Sequence, residues 1–372
     1  MIGFIAFILT LGVIVLVHEL GHFIAAKRAG AAVEEFGFGF PPRIAGFRRG
    51  GTIYSLNWIP VGGFVRIKGE SGTDNAADDS FSHKSARRRA VVLAAGVTMN
   101  VLLAAVLFAV SYTIGAPAVV DGVGSSAHVR DVRVQIIRVL PGSAAADAGI
   151  VSGDIVRSIN GAAVTKVEEV QEQNGQHVDQ PLSYELERGA EPLHLSVTPR
   201  ASPENGQRGI IGVELVETGT VSYPFTRAIW EGIRATGTVI AQTAIAFVSI
   251  VAGLFRGQNV GADVTGPIGI AVLTTQVARL GISHLLQFAA LLSINIAIIN
   301  VLPIPALDGG RMLFLVIEKI RGRALNARIE SLIHNIGFAL LLVLVAIITI
   351  RDVRTFSASI GNFFQQLTGG GS

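Results

Sequence analysis

The residues with the clearest chemical meaning are His18-Glu19-Leu20-Gly21-His22, set in the inner third of an apolar run from Ile2 to Ala26. In a helix, His18 and His22 project from one face, so both imidazoles reach a single Zn²⁺ while Glu19 stands beside it as a general base. The run is long enough to cross a bilayer, and charge at that depth is costly unless it serves a site. Such a string arises by accident in roughly one chain in a hundred of this length, so its setting counts for more than the letters. The bland alternative is a pair of histidines hydrogen-bonded within a bundle, with Glu19 paired to a cation.

A second segment, Asn295-Ile-Ala-Ile-Ile-Asn300-Val-Leu-Pro303-Ile-Pro305-Ala-Leu-Asp308-Gly309-Gly310, completes the argument. Pro303 and Pro305 cannot continue a regular helix, so the chain is expected to unwind after Leu302 and present Asp308 on a loop. His18 lies about seventeen residues into the first span, or roughly 25 Å at 1.5 Å per residue, which matches the inner-leaflet depth expected for that loop. A catalytic zinc takes three protein ligands and keeps one position open for water, and His18, His22 and Asp308 complete that set. Asn295 and Asn300 can donate side-chain hydrogen bonds to an extended substrate. For Asn300, capping of the broken helix is an equal reading.

Composition supplies the surroundings. Half the residues are hydrophobic and 15% are charged, with a mean hydropathy of +0.54, which is membrane-class composition. The net charge of +3 and pI near 9.4 come from basic residues clustered beside apolar segments, so cytoplasmic anchoring accounts for them and no nucleic-acid partner is expected. There are no cysteines, which restricts metal ligands to His, Asp and Glu. No basic residue precedes the first apolar run and no small-residue cleavage site follows it, so it is read as a retained span. Gly369-Gly370-Gly371-Ser372 reads as an appended flexible linker.

Further spans are expected over Val91 to Ile114, Ile282 to Leu302 and Leu332 to Ile350. Lys27, Arg28, Arg43, Arg48, Arg49, Arg66, Lys68, Lys84 and Arg87 to Arg89 place the first connection in the cytoplasm. Lys319, Arg321, Arg323 and Arg328 do the same for the last, which leaves Gly115 to Gly281 outside. A crossing by Ala235 to Phe255 breaks this parity, so an interfacial or re-entrant helix is expected there. The Arg87 to Arg89 cluster is read as a membrane anchor, and Gly72 to Ser82 as a polar surface loop.

Glu34 to Gly69 reads as a β-hairpin, from the alternation over Thr52 to Leu56 and Phe64 to Ile67 around Pro60, Gly62 and Gly63. Lining the metal cavity satisfies such backbone at membrane depth, and an exposed edge there suits an extended substrate. A hairpin lying wholly in the cytoplasm is the other reading. From Val132 to Pro199, a β-rich run (Val134 to Leu140) precedes Pro141-Gly142-Ser143-Ala144, then Gly153-Asp154-Ile155-Val156 and Ile159-Asn160-Gly161. This pattern resembles a PDZ domain of the bacterial protease type. The resemblance implies a groove beside the run before Pro141 that takes a peptide by strand addition. A module that only spaces helices or blocks access remains the alternative.

Together, HELGH on the first span, the PDZ-like module after the second, and Asn-x-x-Pro-x-Pro-x-Leu-Asp-Gly on the third resemble the site-2 protease family of intramembrane zinc metalloproteases. The likeness is nearest to the regulator of sigma-E protease branch and runs from Ile2 to about Ile350. It implies zinc on His18, His22 and Asp308, a catalytic Glu19, and substrate held by Asn295 and Asn300. The implied partners are transmembrane protein substrates, membrane lipid and a peptide ligand of the PDZ-like domain, in a bacterial inner membrane with the site toward the cytoplasm. One departure is that a single PDZ-like module fits here, where well-studied members carry two. The implied reaction is hydrolysis of peptide bonds within or near single-span segments, such as those of anti-sigma factors or signal-peptide remnants.

The expected fold class is thus a polytopic α-helical membrane protein with four transmembrane helices, a membrane-associated β-hairpin and one extracytoplasmic PDZ-like α/β domain. Its parts are the first span (1–30), the hairpin region (31–85), the second span (86–114), the PDZ-like domain (115–205), an extracytoplasmic linker (206–281), the third span (282–310), a cytoplasmic loop (311–331), the fourth span (332–350) and a tail (351–372). His83, His128, His177, His194, His284 and His334 show no ligand spacing and are read as surface or satisfied core residues. Val264 to Gly269 reads as a turn before the third span. Competing classes are an intramembrane metal or proton transporter, against which no inverted repeat is found, and an inactive peptide-binding scaffold.

Overall fold

A computed structural model describes residues 2–70, 78–124, 126–189, 191–202, 206, 208–257, 265–323 and 326–355. The chain forms two compact units, one of Met1–Ser111 with Ile229–Ser372 and one of Tyr112–Ala228. Residues 369–372, read above as a flexible linker, residues 72–77 and Val264 lie outside the described residues.

The first unit begins with α1 (Ile2–Ala29), apolar around its whole circumference as a helix in hydrocarbon must be. It closes in a Schellman turn: Ala31 N–H donates to Ala26 O at 2.9 Å, Gly30 N–H to Lys27 O at 3.1 Å, and Gly30 takes φ 75°. The sharp stop turns the chain at once into β1 (Val33–Arg49) and β2 (Thr52–Ile67). These strands are long enough to double back. Val33 to Phe38 pair on one side with Gly63 to Ile67 and on the other with Ile53 to Leu56, while Arg43 to Arg49 pair with Thr52 to Asn57. The hairpin is therefore a small four-lane sheet, and residues 63–67 form one of its two outer lanes. Glu35, buried within it, is held by Arg43 at 2.6 Å and Arg66 at 3.6 Å.

The expected surface loop at 72–82 is only partly so. Asp78 and Asp79 are exposed, but Ser80 and Phe81 are buried, because the Phe81 ring packs with Ala26, Val33 and Ile67. Next comes α2 (Ala86–Ile114), 29 residues long. Arg89 is more than a membrane anchor, since its guanidinium is mostly buried and meets Glu318 at 2.7 Å.

The second unit runs through β3 (Ala116–Val119), β4 (His128–Val139), α3 (Ala144–Asp147), β5 (Ile155–Ile159), β6 (Ala162–Ala163), α4 (Val167–Gln176), β7 (Leu182–Arg188), β8 (Glu191–Val197), β9 (Arg200–Ala201), β10 (Gly209–Ile210) and β11 (Val213–Ser222). Its main sheet has the order β3-β11-β4-β5-β7-β8, with β6 beside β5. Val134, Ile136, Ile159, Leu182, Tyr184 and Leu186 fill the core. One expectation fails here. The domain does not stop at residue 205, because β11 lies inside its sheet, between β3 and β4. The run before Pro141 pairs with β11 on one side from Val139 to His128, and β5 pairs with it on the other at Val134 and Gln135. Short-range patterning misses β11 because its partner strand lies far back in the chain.

Three further helices begin with α5 (Phe225–Phe255), a continuous 31-residue helix without proline, followed by α6 (Pro267–Leu280) and α7 (Ile282–Val301). The chain then forms α8 (Asp308–Arg321) and α9 (Ala327–Thr355). Among the described residues, α1, α2, α5, α7 and α9 are long and apolar enough to cross a membrane. Five helices are thus candidates where four spans were expected, and the interfacial or re-entrant helix expected at 235–255 is part of one helix that starts at Phe225. The turn expected at Val264 to Gly269 is instead the entry into a helix, since Pro267 to Gly269 open α6, and this start is fixed from α9: Asp352, buried, accepts the N–H of Gly266 at 3.2 Å and of Gly269 at 2.8 Å.

One buried ion pair makes the second unit pH-sensitive. Burial pushes the Asp154 carboxyl up, but two hydrogen bonds from Arg188 and one from the Val151 N–H outweigh it and hold the group below its usual range. A depressed folded value means stability that is complete above the unfolded value, about pH 4, and is lost as pH falls through the folded value. Asp154→Asn is expected to cost roughly 1.5–3 kcal/mol at neutral pH and nothing at strongly acidic pH. Hydrogen exchange of the β5 and β7 amides in wild type and variant measures the difference, and equal protection at pH 7 contradicts it.

Candidate metal centre

Two separate chain segments converge on one point. His18 and His22 stand one turn apart on α1, and Asp308 arrives 286 residues after His22. His18 Nε2 lies 3.1 Å from Asp308 Oδ2, His22 Nε2 also 3.1 Å, and the two Nε2 atoms are 3.2 Å apart. Both imidazoles are buried, each 7% exposed. A tetrahedral site with bonds of ~2.0 Å has ligand atoms about 3.3 Å apart, so this triangle has the dimensions of one face of a zinc tetrahedron. The donor set fits zinc as well, with two imidazole nitrogens and a carboxylate oxygen.

The far side of the His22 ring shows why its Nε2 faces inward. His22 Nδ1–H donates to Val92 O at 2.8 Å, which leaves Nε2 as a lone pair. Asp308 Oδ2 is an acceptor too, so these two atoms repel each other unless a cation joins them. Gly96 on α2 permits the approach of that helix, since a Cβ there meets His22 Nε2 at 2.4 Å and His18 Cε1 at 2.7 Å.

Asp308 is not on a loop as expected but is the first residue of α8, where a carboxylate is favoured by the helix N-terminus. Pro303 and Pro305 do end α7, yet the break is short because the chain turns sharply, with Ala306 at φ 79°. The Ala306 N–H donates to His334 Nδ1 at 2.9 Å, so His334 is a structural acceptor on that side, while its Nε2 is buried with no hydrogen-bond partner among the described residues, and the reading as a satisfied residue holds for one nitrogen only. Gly309 allows α8 to fold back on α7, since a Cβ there meets Leu302 O at 2.2 Å. An ion pair between Arg311 on α8 and Glu70, just past β2, joins α8 to the hairpin's exit.

Glu19, half-buried beside the trio, accepts the Val65 N–H on Oε2 at 3.0 Å. Val65 lies in the outer lane of the hairpin, so the lane's free edge faces this carboxylate. Asn295 and Asn300 are half-buried on α7. The α7 end is closed by Leu302 N–H donating to Ile299 O at 3.1 Å, and the Asn300 side chain makes no capping hydrogen bond among the described residues. The α2 contacts were missed from the sequence. A backbone carbonyl such as Val92 O carries no letter, but Asn100 in an apolar span was a readable signal.

The pattern that defines Peptidase family M50 matches residues 6–344. The chain belongs to that family, the site-2 proteases. A relative in Agrobacterium fabrum, named by inference as a zinc metalloprotease, is 33% identical over 94% of this M50 chain and 95% of its own. The regulator of sigma-W protease RasP of Bacillus subtilis is 29% identical over 94% of this chain and 98% of its own. The zinc metalloprotease RasP of Geobacillus kaustophilus is 29% identical, covering 95% and 98%. Among solved structures, a PDZ domain of an SdrC-like protein from Listeria monocytogenes covers 22% of this chain and 85% of its own at 23% identity, with a TM-score of 0.21. This M50 protein is therefore a membrane zinc metalloprotease with Zn²⁺ as cofactor, and the transporter and inactive-scaffold alternatives fall away. Gly96→Ala is expected to push both imidazoles off the shared point and leave well under one zinc per chain by elemental analysis. Full zinc occupancy in that variant contradicts the packing described.

Proposed function

We propose that His18, His22 and Asp308 hold the zinc of this protease and that Glu19 is its general base, acting on peptide bonds within or beside single transmembrane segments. The observation that carries this is the convergence of three acceptor atoms at 3.1–3.2 Å, next to a carboxylate. Bound there, zinc supplies a Lewis acid that acidifies water and polarises the scissile carbonyl. The Val65 N–H occupies one oxygen of Glu19, which leaves the other to accept the water proton and return it to the departing amine. Val65 thereby orients the base without blocking it.

A transmembrane substrate hides its carbonyls in helical hydrogen bonds, so it must unwind to react. The outer lane at 63–67 offers an edge on which the unwound segment pairs as an added strand. Asn295 and Asn300 donate to the same extended backbone. Substrates of this class include anti-sigma factors, in line with the sigma-W name of the Bacillus subtilis relative, and signal-peptide remnants. The distribution of basic residues supports a site toward the cytoplasm of a bacterial inner membrane. We place α5 in the outer headgroup region beside four crossing helices, which preserves the charge parity. The second unit either captures a peptide beside the run before Pro141, where β5 pairs with β4 only at Val134 and Gln135, or limits access to the site.

Purified protein incubated in detergent with a model transmembrane peptide tests the reading. Glu19→Gln is expected to keep its zinc and lose at least about a hundredfold in rate. His22→Ala and Asp308→Ala are expected to lose zinc and cleavage together. Equal cleavage by wild type and Glu19→Gln sinks the proposal.

A further inference from the structure

Asn100 is wholly buried in α2, in a helix otherwise suited to lipid. Its carboxamide Nδ2 stands 3.3 Å from His18 Nδ1, and its Oδ1 is buried without a hydrogen-bond partner. Written that way, the amide donates to Nδ1, which requires the His18 proton to sit on Nε2. Yet Nε2 is the atom that faces Asp308 Oδ2 and His22 Nε2 at 3.1 and 3.2 Å. A nitrogen cannot both carry a proton there and offer a lone pair to a cation. The two ends of an amide have the same shape, so the choice between them turns on the chemistry of the neighbour.

We propose that Asn100 is the positioning residue for His18 in the zinc-loaded enzyme, with its Oδ1, rather than its Nδ2, accepting from the His18 Nδ1–H. The inference rests on the ligand set proposed above. It gives both imidazoles the same arrangement, because His22 Nδ1–H already donates to Val92 O at 2.8 Å. Val92, Gly96 and Asn100 recur at every fourth residue of α2, so one face of one helix fixes both rings and clears the space between them. The backbone that carries Asn100 is fastened, since Ser293 Oγ on α7 donates to the Asn100 main-chain O at 2.8 Å. Outer hydrogen bonds of this kind set the tautomer and orientation of a ligating histidine.

The test uses full-length protein in detergent and reads zinc affinity by chelator competition, with nitrogen resonances of ¹⁵N-histidine as a second readout. Asn100→Leu, which removes the acceptor at similar volume, is expected to bind zinc about 10- to 100-fold more weakly. Asn100→Asp keeps an acceptor and is expected to bind at least as tightly as wild type. Leu binding like wild type, or Asp falling as far as Leu, overturns the proposal. The nitrogen spectrum of zinc-loaded wild type needs no variant: a protonated His18 Nδ1 supports the assignment, and a proton-free Nδ1 refutes it. If His18→Ala and His22→Ala bind zinc as wild type does, the ligand set itself has failed, an outcome distinct from these.

Discussion

Three potential ligand atoms brought within 3.2 Å of one another inside an apolar helix bundle are the constraint on which the rest depends. A lone pair on His22 Nε2 facing a carboxylate oxygen is costly when water is excluded, and a cation at the shared point relieves it. Each neighbouring feature serves that convergence. The helical spacing of α1 stacks the two rings, the proline break re-aims the chain so that α8 starts at Asp308, and α2 comes close because residue 96 has no side chain.

The hairpin serves a second need, which is to supply backbone beside the site without leaving it unsatisfied. Its lanes pair with each other over most of their length, and the outer lane turns one N–H to Glu19. A carboxylate at this depth is costly unless hydrogen-bonded. The same donor lies on the edge proposed for substrate, so the base and the substrate strand share one structural support. Arg311 with Glu70 ties that support to α8, and Arg89 with Glu318 ties α8 to α2.

The metal trio was legible because each part has a letter and a spacing. HExxH needs only one turn of helix, and Pro303 and Pro305 announce the break before Asp308. The hairpin was readable from alternation between turn residues. What escaped was fixed by groups without letters or by partners far apart. Val92 O and the Val65 N–H are backbone atoms, invisible in composition. β11 joins β4 across a long sequence gap, so the second unit was cut short. Phe81 was lost in a polar stretch because a single ring gives no periodicity. At α5, basic residues and helix length point to different conclusions, and charge parity alone could not foresee an unbroken 31-residue helix.

The most direct measurement is zinc K-edge X-ray absorption on the purified, active protein. The account predicts a first shell of light atoms only, at about 2.0 Å, with multiple scattering from two imidazoles. In Asp308→Ala, any residual zinc should keep the imidazole signal and lose the carboxylate oxygen. A shell with one imidazole, or with three or more, contradicts the site as described, and so does a shell unchanged by Asp308→Ala.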